Sequence, residues 1–188
     1  MQRPDEQLIK DYLSGDEKSL EILIKRYLKP IYGFVYKYIG NVQESEDITQ
    51  EVFIKIWRNL KKFNFKKRPA PYRTEGSGSG FKTWIFSIAK NTCIDWIRKK
   101  KTMLLDDKFA ETLVNQAPLA SENLEKTDIV QVLVSAMDNL LPKYQTVLSL
   151  RYNDNLNFRE IAIVLKESIN TIKSQHRRAL NMLKKNLI

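Results

Sequence analysis

The sequence predicts an all-α protein made of two small helical domains joined by a flexible linker. Apolar residues recur at helical spacing in nearly every patterned segment, and no segment alternates between polar and apolar residues with a period of two. Residues 102–120 show little pattern, contain Pro118 and separate two helical regions. We therefore expect one domain over residues 1–101, a linker over residues 102–128 and a second domain over residues 129–188.

Three helices are predicted in the first domain, at Ser19–Ile39, Glu44–Leu60 and Phe81–Lys101. Between the second and the third lies NFKKRPAPYRTEGSGSG, in which prolines and glycines disfavour a helix. Its GSGSG run predicts a flexible tether. The second domain is predicted to hold helices at about 121–138, 142–152, 157–166 and 169–186. Asn157 with Glu160 resembles a capping box, and Ser168 suits the N-cap of the last helix.

Composition indicates a polyanion as partner. The 188 residues carry a net charge of +10, distributed as +9 over residues 1–101, −4 over 102–128 and +5 over 129–188. No run of about 18 apolar residues occurs, so we expect no membrane insertion. The N-terminus lacks the apolar stretch of a signal peptide, and the single cysteine, Cys93, suits a cytoplasmic protein.

The segment FKTWIFSIAKNTCIDWIRKKK predicts an amphipathic helix whose outer side suits single-stranded nucleic acid. Phe81, Ile85, Ala89 and Trp96 belong to its core-facing stripe, with Cys93 near the border and partly buried. The residues expected on or beside the outer side are Thr83, Trp84, Ser87, Lys90, Asn91 and Arg98. Hydroxyls, amides, cations and aromatic rings bind phosphates and unstacked bases. The alternative is an ordinary docking helix with a solvated polar side.

Residues 157–183 fit a helix-turn-helix in which Ile172 and Leu180 turn the second helix inward. Its outward or partly outward residues are Asn170, Thr171, Lys173, Ser174, Gln175, Arg177 and Arg178. Amides and guanidinium groups at the start of such a helix read base edges in the major groove. The only histidine, His176, is interpreted as a phosphate or base contact, because no further metal ligands accompany it. A plain helical hairpin is the alternative.

Apolar residues lie on two sides of the helix at Glu44–Leu60. Ile48, Val52 and Ile56 form a core stripe. A second group extends around the helix among charged and amide side chains and comprises Asp47, Gln50, Glu51, Phe53, Ile54 and Trp57. Exposed Trp and Ile ringed by charge are typical of a protein–protein hot spot. The alternative is a central helix packed on both sides.

Three motifs together resemble the extracytoplasmic-function group of the sigma-70 family of bacterial RNA polymerase subunits. They are DITQEVFIKIW, FKTWIFSIAKNTCIDWIRKKK and LPKYQTVLSLRYNDNLNFREIAIVLKESINTIKSQHRRAL. Their order, the size of the chain and the missing middle domain are similar to that group, and the resemblance covers roughly residues 19–101 and 129–187. One departure is the long segment Asn64–Gly80 between the second and third helices.

The resemblance implies a division of labour along the chain. The second helix would bind core RNA polymerase through Asp47, Gln50, Glu51, Phe53, Ile54 and Trp57. The third would recognise and melt the minus-ten element through Thr83, Trp84, Ser87, Lys90, Asn91 and Arg98, with Asn91 beside a flipped base. The C-terminal helix-turn-helix would read the minus-35 element through Asn170, Thr171, Lys173, Ser174, Gln175, Arg177 and Arg178. An anti-sigma factor would be a further partner.

The same reasoning disfavours catalysis. One histidine, one cysteine and no clustered carboxylates give no catalytic or metal site, and we expect no cofactor and no small-molecule substrate. The protein is therefore expected to select where polymerase starts. The alternative function is a freestanding helix-turn-helix transcriptional regulator, which has no need for a Trp57 docking surface.

Overall fold

A computed structural model describes residues 3–63, 80–106 and 135–186. These ranges contain seven α-helices, a short helical stretch at residues 135–138 and a π-helical turn, and no strand occurs within them, which confirms the all-α prediction. The helices are α1 Asp5–Leu13, α2 Glu17–Ile39, α3 Val42–Leu60, α4 Gly80–Asp106, α5 Pro142–Leu148, α6 Phe158–Leu165 and α7 Ile169–Asn186, and the π-helical turn is Ser149–Asn153.

Two predicted features fall largely outside the described residues. Residues 76–79 of the predicted tether lie outside the described residues, and Gly80 begins α4. Residues 121–134 of the predicted helix at 121–138 also lie outside the described residues, and residues 135–138 are helical. Helix α4 runs on to Asp106, past the position at which the linker was expected to start.

Helices α1 to α4 form the N-terminal module. Asn41 caps α3 by accepting from the backbone N–H of Glu44, and Gly40 ends α2 with φ 74°, a conformation that favours glycine. Helix α1 was not predicted. It is fastened to α2 by Asp5, whose carboxylate accepts from the guanidinium of Arg26 and the hydroxyl of Tyr27.

Helices α5 to α7 form the C-terminal module, and α6 and α7 make the predicted helix-turn-helix. The capping box of Asn157 and Glu160 is present, and Ser168 accepts from the backbone N–H of Thr171 at 3.0 Å. Lys166, in the turn, has a left-handed backbone with φ 53°. The prediction that Leu180 faces inward was wrong: Leu180 is exposed, and its neighbour Ala179 is fully buried.

The two modules pack against each other, chiefly through α4 and α6. Buried residues from both modules share one apolar cluster, which includes Ile85 and Phe86 of α4 and Ile161 and Val164 of α6, and a second, smaller cluster lies within the C-terminal module. This contact positions the helix-turn-helix directly on the helix predicted to bind single strands. None of the helices in the described ranges is both long and apolar enough to span a lipid bilayer.

Candidate functional site

One side of α3 faces the core and the other faces water. Ile48, Val52 and Ile56 are buried, as predicted. On the far side, the side chain of Ile54 is 45% exposed and that of Trp57 is 55% exposed. The alternative of a helix packed on both sides is therefore wrong for the structure described.

The exposed apolar residues of α3 lie among charged and amide groups. Asp47, Gln50 and Glu51 are exposed, and Phe53 is half-buried. We call these four residues with Ile54 and Trp57 the α3 surface. Carboxylates around a large aromatic side chain suit a partner with an apolar pocket rimmed by cations.

Helix α1 adds a residue to this surface that the sequence analysis missed. The indole N–H of Trp57 donates to the hydroxyl of Tyr12 at 2.7 Å. Tyr12 therefore orients the Trp57 ring while leaving it exposed. The apolar spacing of Leu8, Ile9 and Tyr12 in the first fifteen residues is the signal that indicates this helix.

The core-facing side of α4 is wider than its pattern indicated. Phe81, Ile85 and Ala89 are buried as predicted, and Phe86 is buried as well. Cys93, expected to be partly buried, is completely buried, and this burial raises the pKa of its thiol to about 12. A thiol with such a pKa stays protonated and unreactive at neutral pH.

The polar side of α4 is divided into an open part and a covered part. Asn91 and Arg98 are exposed, as predicted. Trp84 is half-buried, with its ring 4.8 Å from that of Phe63 and 5.6 Å from that of Phe81. The open part thus carries an amide, a guanidinium and the edge of an aromatic stack, which are groups that bind unpaired bases and phosphates.

The expectation that Thr83 and Lys90 face water was wrong. Thr83 is 1% exposed and Lys90 is 9% exposed, and Ser87 is half-buried. Helical periodicity identifies a polar side of α4, but it does not indicate that α6 packs on that side. Thr83 donates its hydroxyl proton to Glu160 at 3.3 Å, and the ammonium of Lys90 donates to the backbone carbonyl of Leu165. Burial lowers the pKa of Lys90.

The basic end of α4 is only partly free. Arg98, Lys99 and Lys101 are exposed. Lys100 forms an ion pair with Glu44 of α3 at 2.6 Å, and its ammonium lies 4.6 Å from the centre of the Trp96 ring. Three cations at this end remain able to neutralise phosphates.

Helix α7 presents most of its predicted reading residues to solvent. Ile172 is buried and fixes the helix on its module. The exposed residues are Asn170, Thr171, Lys173, Arg177 and Arg178, and the half-buried ones are Ser174 and Gln175. The side-chain amide of Gln175 donates to Glu167 in the turn at 2.7 Å.

The ring of His176 packs within its own module. Its Nε2 lies 3.0 Å from the hydroxyl of Tyr152, and it packs edge-on against Phe158 at 5.0 Å. Burial, with a smaller effect of Arg151, lowers the pKa of His176. The imidazole therefore positions α7, and its predicted contact with DNA stays a prediction.

Comparison with known families gives matches at both modules. The model of Sigma-70 region 2 matches residues 23–102, and that of Sigma-70 region 4 matches residues 136–185. The first match contains α3 and most of α4, and the second contains the helix-turn-helix. A freestanding regulator would need only the second, so the comparisons do not favour that alternative.

Individual proteins agree with the family matches. The chain is 31% identical to the ECF RNA polymerase sigma factor SigW of Bacillus subtilis (strain 168), over 95% of this chain and 94% of that protein. It is 26% identical to the ECF RNA polymerase sigma factor SigX of the same organism, over 91% and 84%.

A solved structure has the same fold. The sigma factor RpoE from Bartonella quintana, in complex with the anti-sigma factor NepR, aligns with a TM-score of 0.62 at 22% identity. The alignment covers 90% of this chain and 97% of that one. Together with the identity to SigW over nearly the whole length, these matches show that the chain belongs to the extracytoplasmic-function group of the sigma-70 family of RNA polymerase sigma factors.

Proposed function

We propose that this sigma factor binds core RNA polymerase through the α3 surface, captures the melted minus-ten strand on α4 and reads the minus-35 element with α7. The observation that carries the proposal is the exposure of Trp57 beside Ile54 on α3, in a chain that also presents an exposed cationic α7. DNA binding alone does not require the first of these surfaces.

The α3 surface has the make-up of a hot spot. A large aromatic ring gains free energy when a partner desolvates it, and its hydrogen bond to Tyr12 reduces the freedom that it loses on binding. Asp47, Gln50 and Glu51 would form the polar rim, and the carboxylates of Asp47 and Glu51 would steer cationic groups of the polymerase toward it.

The open part of α4 would offset the cost of melting. Separating DNA strands costs about 1.4 kcal/mol per stacked step. Stacking an unpaired base on an aromatic ring is worth about 1–3 kcal/mol. In this proposal Asn91 hydrogen-bonds a flipped base, Trp84 supplies a stacking face and Arg98 neutralises a phosphate.

Helix α7 would hold intact double helix upstream. Arg177 would make bidentate contacts to base edges, while Lys173 and Arg178 would contact phosphates. In our assignment residues 1–101 bind polymerase and the minus-ten element, residues 102–128 link the domains and residues 129–188 read the minus-35 element. Polymerase supplies the chemistry, so this chain acts as an initiation factor in the compartment of the chromosome, the bacterial cytoplasm.

An anti-sigma factor belongs to the same proposal. RpoE of Bartonella quintana was solved with the anti-sigma factor NepR, and CnrH, with a TM-score of 0.60, was solved with the cytosolic domain of CnrY. We infer that a protein of this class binds the present chain and restrains it.

The test is binding to core polymerase and transcription from a genomic promoter library. Trp57→Ala should weaken binding to core by at least about 2 kcal/mol, or roughly thirtyfold, because it empties the centre of the α3 surface. Val42→Ala is the matched control, since Val42 is 52% exposed at the far end of the same helix. An unmodified chain that does not stimulate core on any promoter would refute the proposal.

A further inference from the structure

A cavity of about 230 Å³ lies where the two modules meet, and most of the residues that line it have polar side chains. Three of them are lysines, each from a different helix: Lys37 of α2, Lys90 of α4 and Lys143 of α5. A water molecule takes up about 30 Å³ in the liquid, so the cavity has room for a ligand larger than a few waters.

The three lysines have no counter-ion. None of the ion pairs within the described ranges includes Lys37, Lys90 or Lys143. The ammonium of Lys90 donates to the neutral backbone carbonyl of Leu165, and that of Lys143 lies 5.2 Å from the centre of the Tyr144 ring. Like charges that converge without carboxylate partners create a positive potential, so the cavity attracts an anion.

Two of these cations are also removed from water. Lys90 is buried and Lys37 is half-buried. Burial lowers the pKa of both ammonium groups, although Asp138 and Asp154 act to raise that of Lys37. A desolvated charge costs free energy unless an opposite charge accompanies it, so an anion between Lys37 and Lys90 would stabilise both.

The side-chain amide of Gln175 indicates which anion fits. Its Nε2 donates to the carboxylate of Glu167 at 2.7 Å, so the amide cannot be reversed without bringing two oxygens together. Its Oε1 is buried and has no hydrogen bond within the described structure. A ligand at this wall must donate a proton to Oε1 while it accepts from the ammonium groups.

A phosphate group meets both requirements. Its oxygens accept charge-assisted hydrogen bonds from ammonium groups. Inorganic phosphate keeps a proton at neutral pH, and a phosphate ester of a small polyol has hydroxyl groups, so each can also donate to an orphaned acceptor. An ionised carboxylate and a sulfate ion only accept.

We propose that this cavity binds a small phosphorylated ligand, with its phosphate group between the ammonium groups of Lys37, Lys90 and Lys143 and with a proton or hydroxyl donated to Oε1 of Gln175. The ligand is inorganic phosphate or the phosphate ester of a small polyol. Such a site goes beyond the proposed function, which involves polymerase, DNA and a protein partner. Residues of both modules line the cavity, so bound ligand stabilises the folded chain by mass action.

Thermal unfolding of the full chain tests the site with inorganic phosphate, ribose 5-phosphate and sulfate, compared at the same pH and ionic strength. Sulfate is the control, because it has the shape and charge of phosphate and the same general effect as an excluded salt. At about ten times its dissociation constant, a phosphate ligand should raise Tm by about 2–5 °C more than sulfate does. The larger of the two phosphate shifts identifies the source of the group. Shifts no larger than that of sulfate for both ligands would overturn the proposal.

Lys37→Gln and Lys143→Gln test whether the cavity is the site. Each should raise the dissociation constant about tenfold, because a charge-assisted hydrogen bond is lost. Lys143 is exposed, so its replacement leaves the fold intact. Lys37→Gln should also raise the Tm of the ligand-free chain, because it removes a desolvated charge. Lys29→Gln is the matched control, an exposed lysine of α2 away from the cavity. Equal losses in all three variants would show that phosphate binds the cationic surface unspecifically, and they would refute the site.

Gln175→Met tests the role of the orphaned acceptor. The variant keeps the length of the side chain but removes Oε1, so the ratio of phosphate to sulfate affinity should fall toward one. An unchanged ratio would refute the hydrogen bond to Oε1. All of these measurements use the free chain, so they are independent of the proposed function. A chain that binds phosphate at this site but does not stimulate core polymerase would keep the site and refute that function.

Discussion

The two helices proposed to bind DNA, α4 and α7, differ in what covers them. Helix α7 leaves Lys173, Arg177 and Arg178 in water, whereas α4 has Thr83 and Lys90 covered by α6 and Asn91 and Arg98 exposed. The accessible helix is the one proposed for intact duplex, and the half-covered helix is the one proposed for separated strands. The comparison indicates that α7 is accessible to a duplex with the modules in contact, whereas Thr83 and Lys90 of α4 are not accessible to a separated strand.

The largest expected effect of a substitution that tests this comparison is on promoter melting, at the open part of α4. Asn91→Ala should slow formation of the melted promoter complex by roughly fivefold to a hundredfold, because contacts to one unpaired base are worth about 1–3 kcal/mol. Binding to duplex promoter should change less than twofold. Reactivity of unpaired thymines to permanganate, measured in the complete polymerase complex, reports the melting.

Ile97→Ala is the control for that prediction, since Ile97 lies on the same helix and is partly exposed. An equal loss of duplex binding and melting in Asn91→Ala would contradict the assignment of Asn91 to a flipped base. It would also remove the functional difference between the two helices.

A comparable or smaller effect is expected on α7, and it should depend on sequence. Arg177→Ala should weaken binding to the minus-35 element by about 1–3 kcal/mol and relax preference at one base pair, because a bidentate contact is lost. Lys173→Ala, at a residue assigned to a phosphate contact, should weaken binding to all sequences alike and reduce the salt dependence by about one ion. Selection from a randomised minus-35 element distinguishes the two variants. An unchanged sequence profile in Arg177→Ala would show that this residue does not read bases.

Much of each helix was predictable from the sequence, because local chemistry determines it. The core stripe of α3, the capping box at Asn157 and Glu160 and the cap at Ser168 involve residues within a few positions of one another. Helix α1 was missed because its apolar pattern is short.

The contact between the modules could not be predicted in the same way. Thr83 and Glu160 are 77 residues apart, and nothing in the polar side of α4 indicates whether water, DNA or another helix covers it. The open residue Asn91 and the covered residue Lys90 are neighbours in sequence, so only the packing of α6 distinguishes them. Lys100 likewise pairs with a residue distant in sequence, because Glu44 lies on another helix.

The smallest expected effect concerns Asp154, which is buried close to the contact between the modules. Burial raises the pKa of this carboxyl group to about 6, although Lys82 of α4 and Lys37 of α2 act to lower it. In the unfolded chain an aspartate has a pKa of about 3.9. Between these two values the folded chain binds more protons than the unfolded chain, so the free energy of unfolding decreases as the pH rises from about 4 to about 6.

Asp154→Asn removes this titration. The variant should be more stable than the unmodified chain at pH 7.5, by about 1–2 kcal/mol, and the two should converge near pH 4. Urea unfolding midpoints of both proteins across this range measure the difference, with Asp138→Asn as a control at an exposed carboxylate of the same module. Parallel pH profiles for Asp154→Asn and the unmodified chain would show that Asp154 is solvated in solution. That result would contradict the burial of Asp154 close to Lys37 and Lys82 of the other module, and it would weaken the contrast between a covered α4 and an open α7.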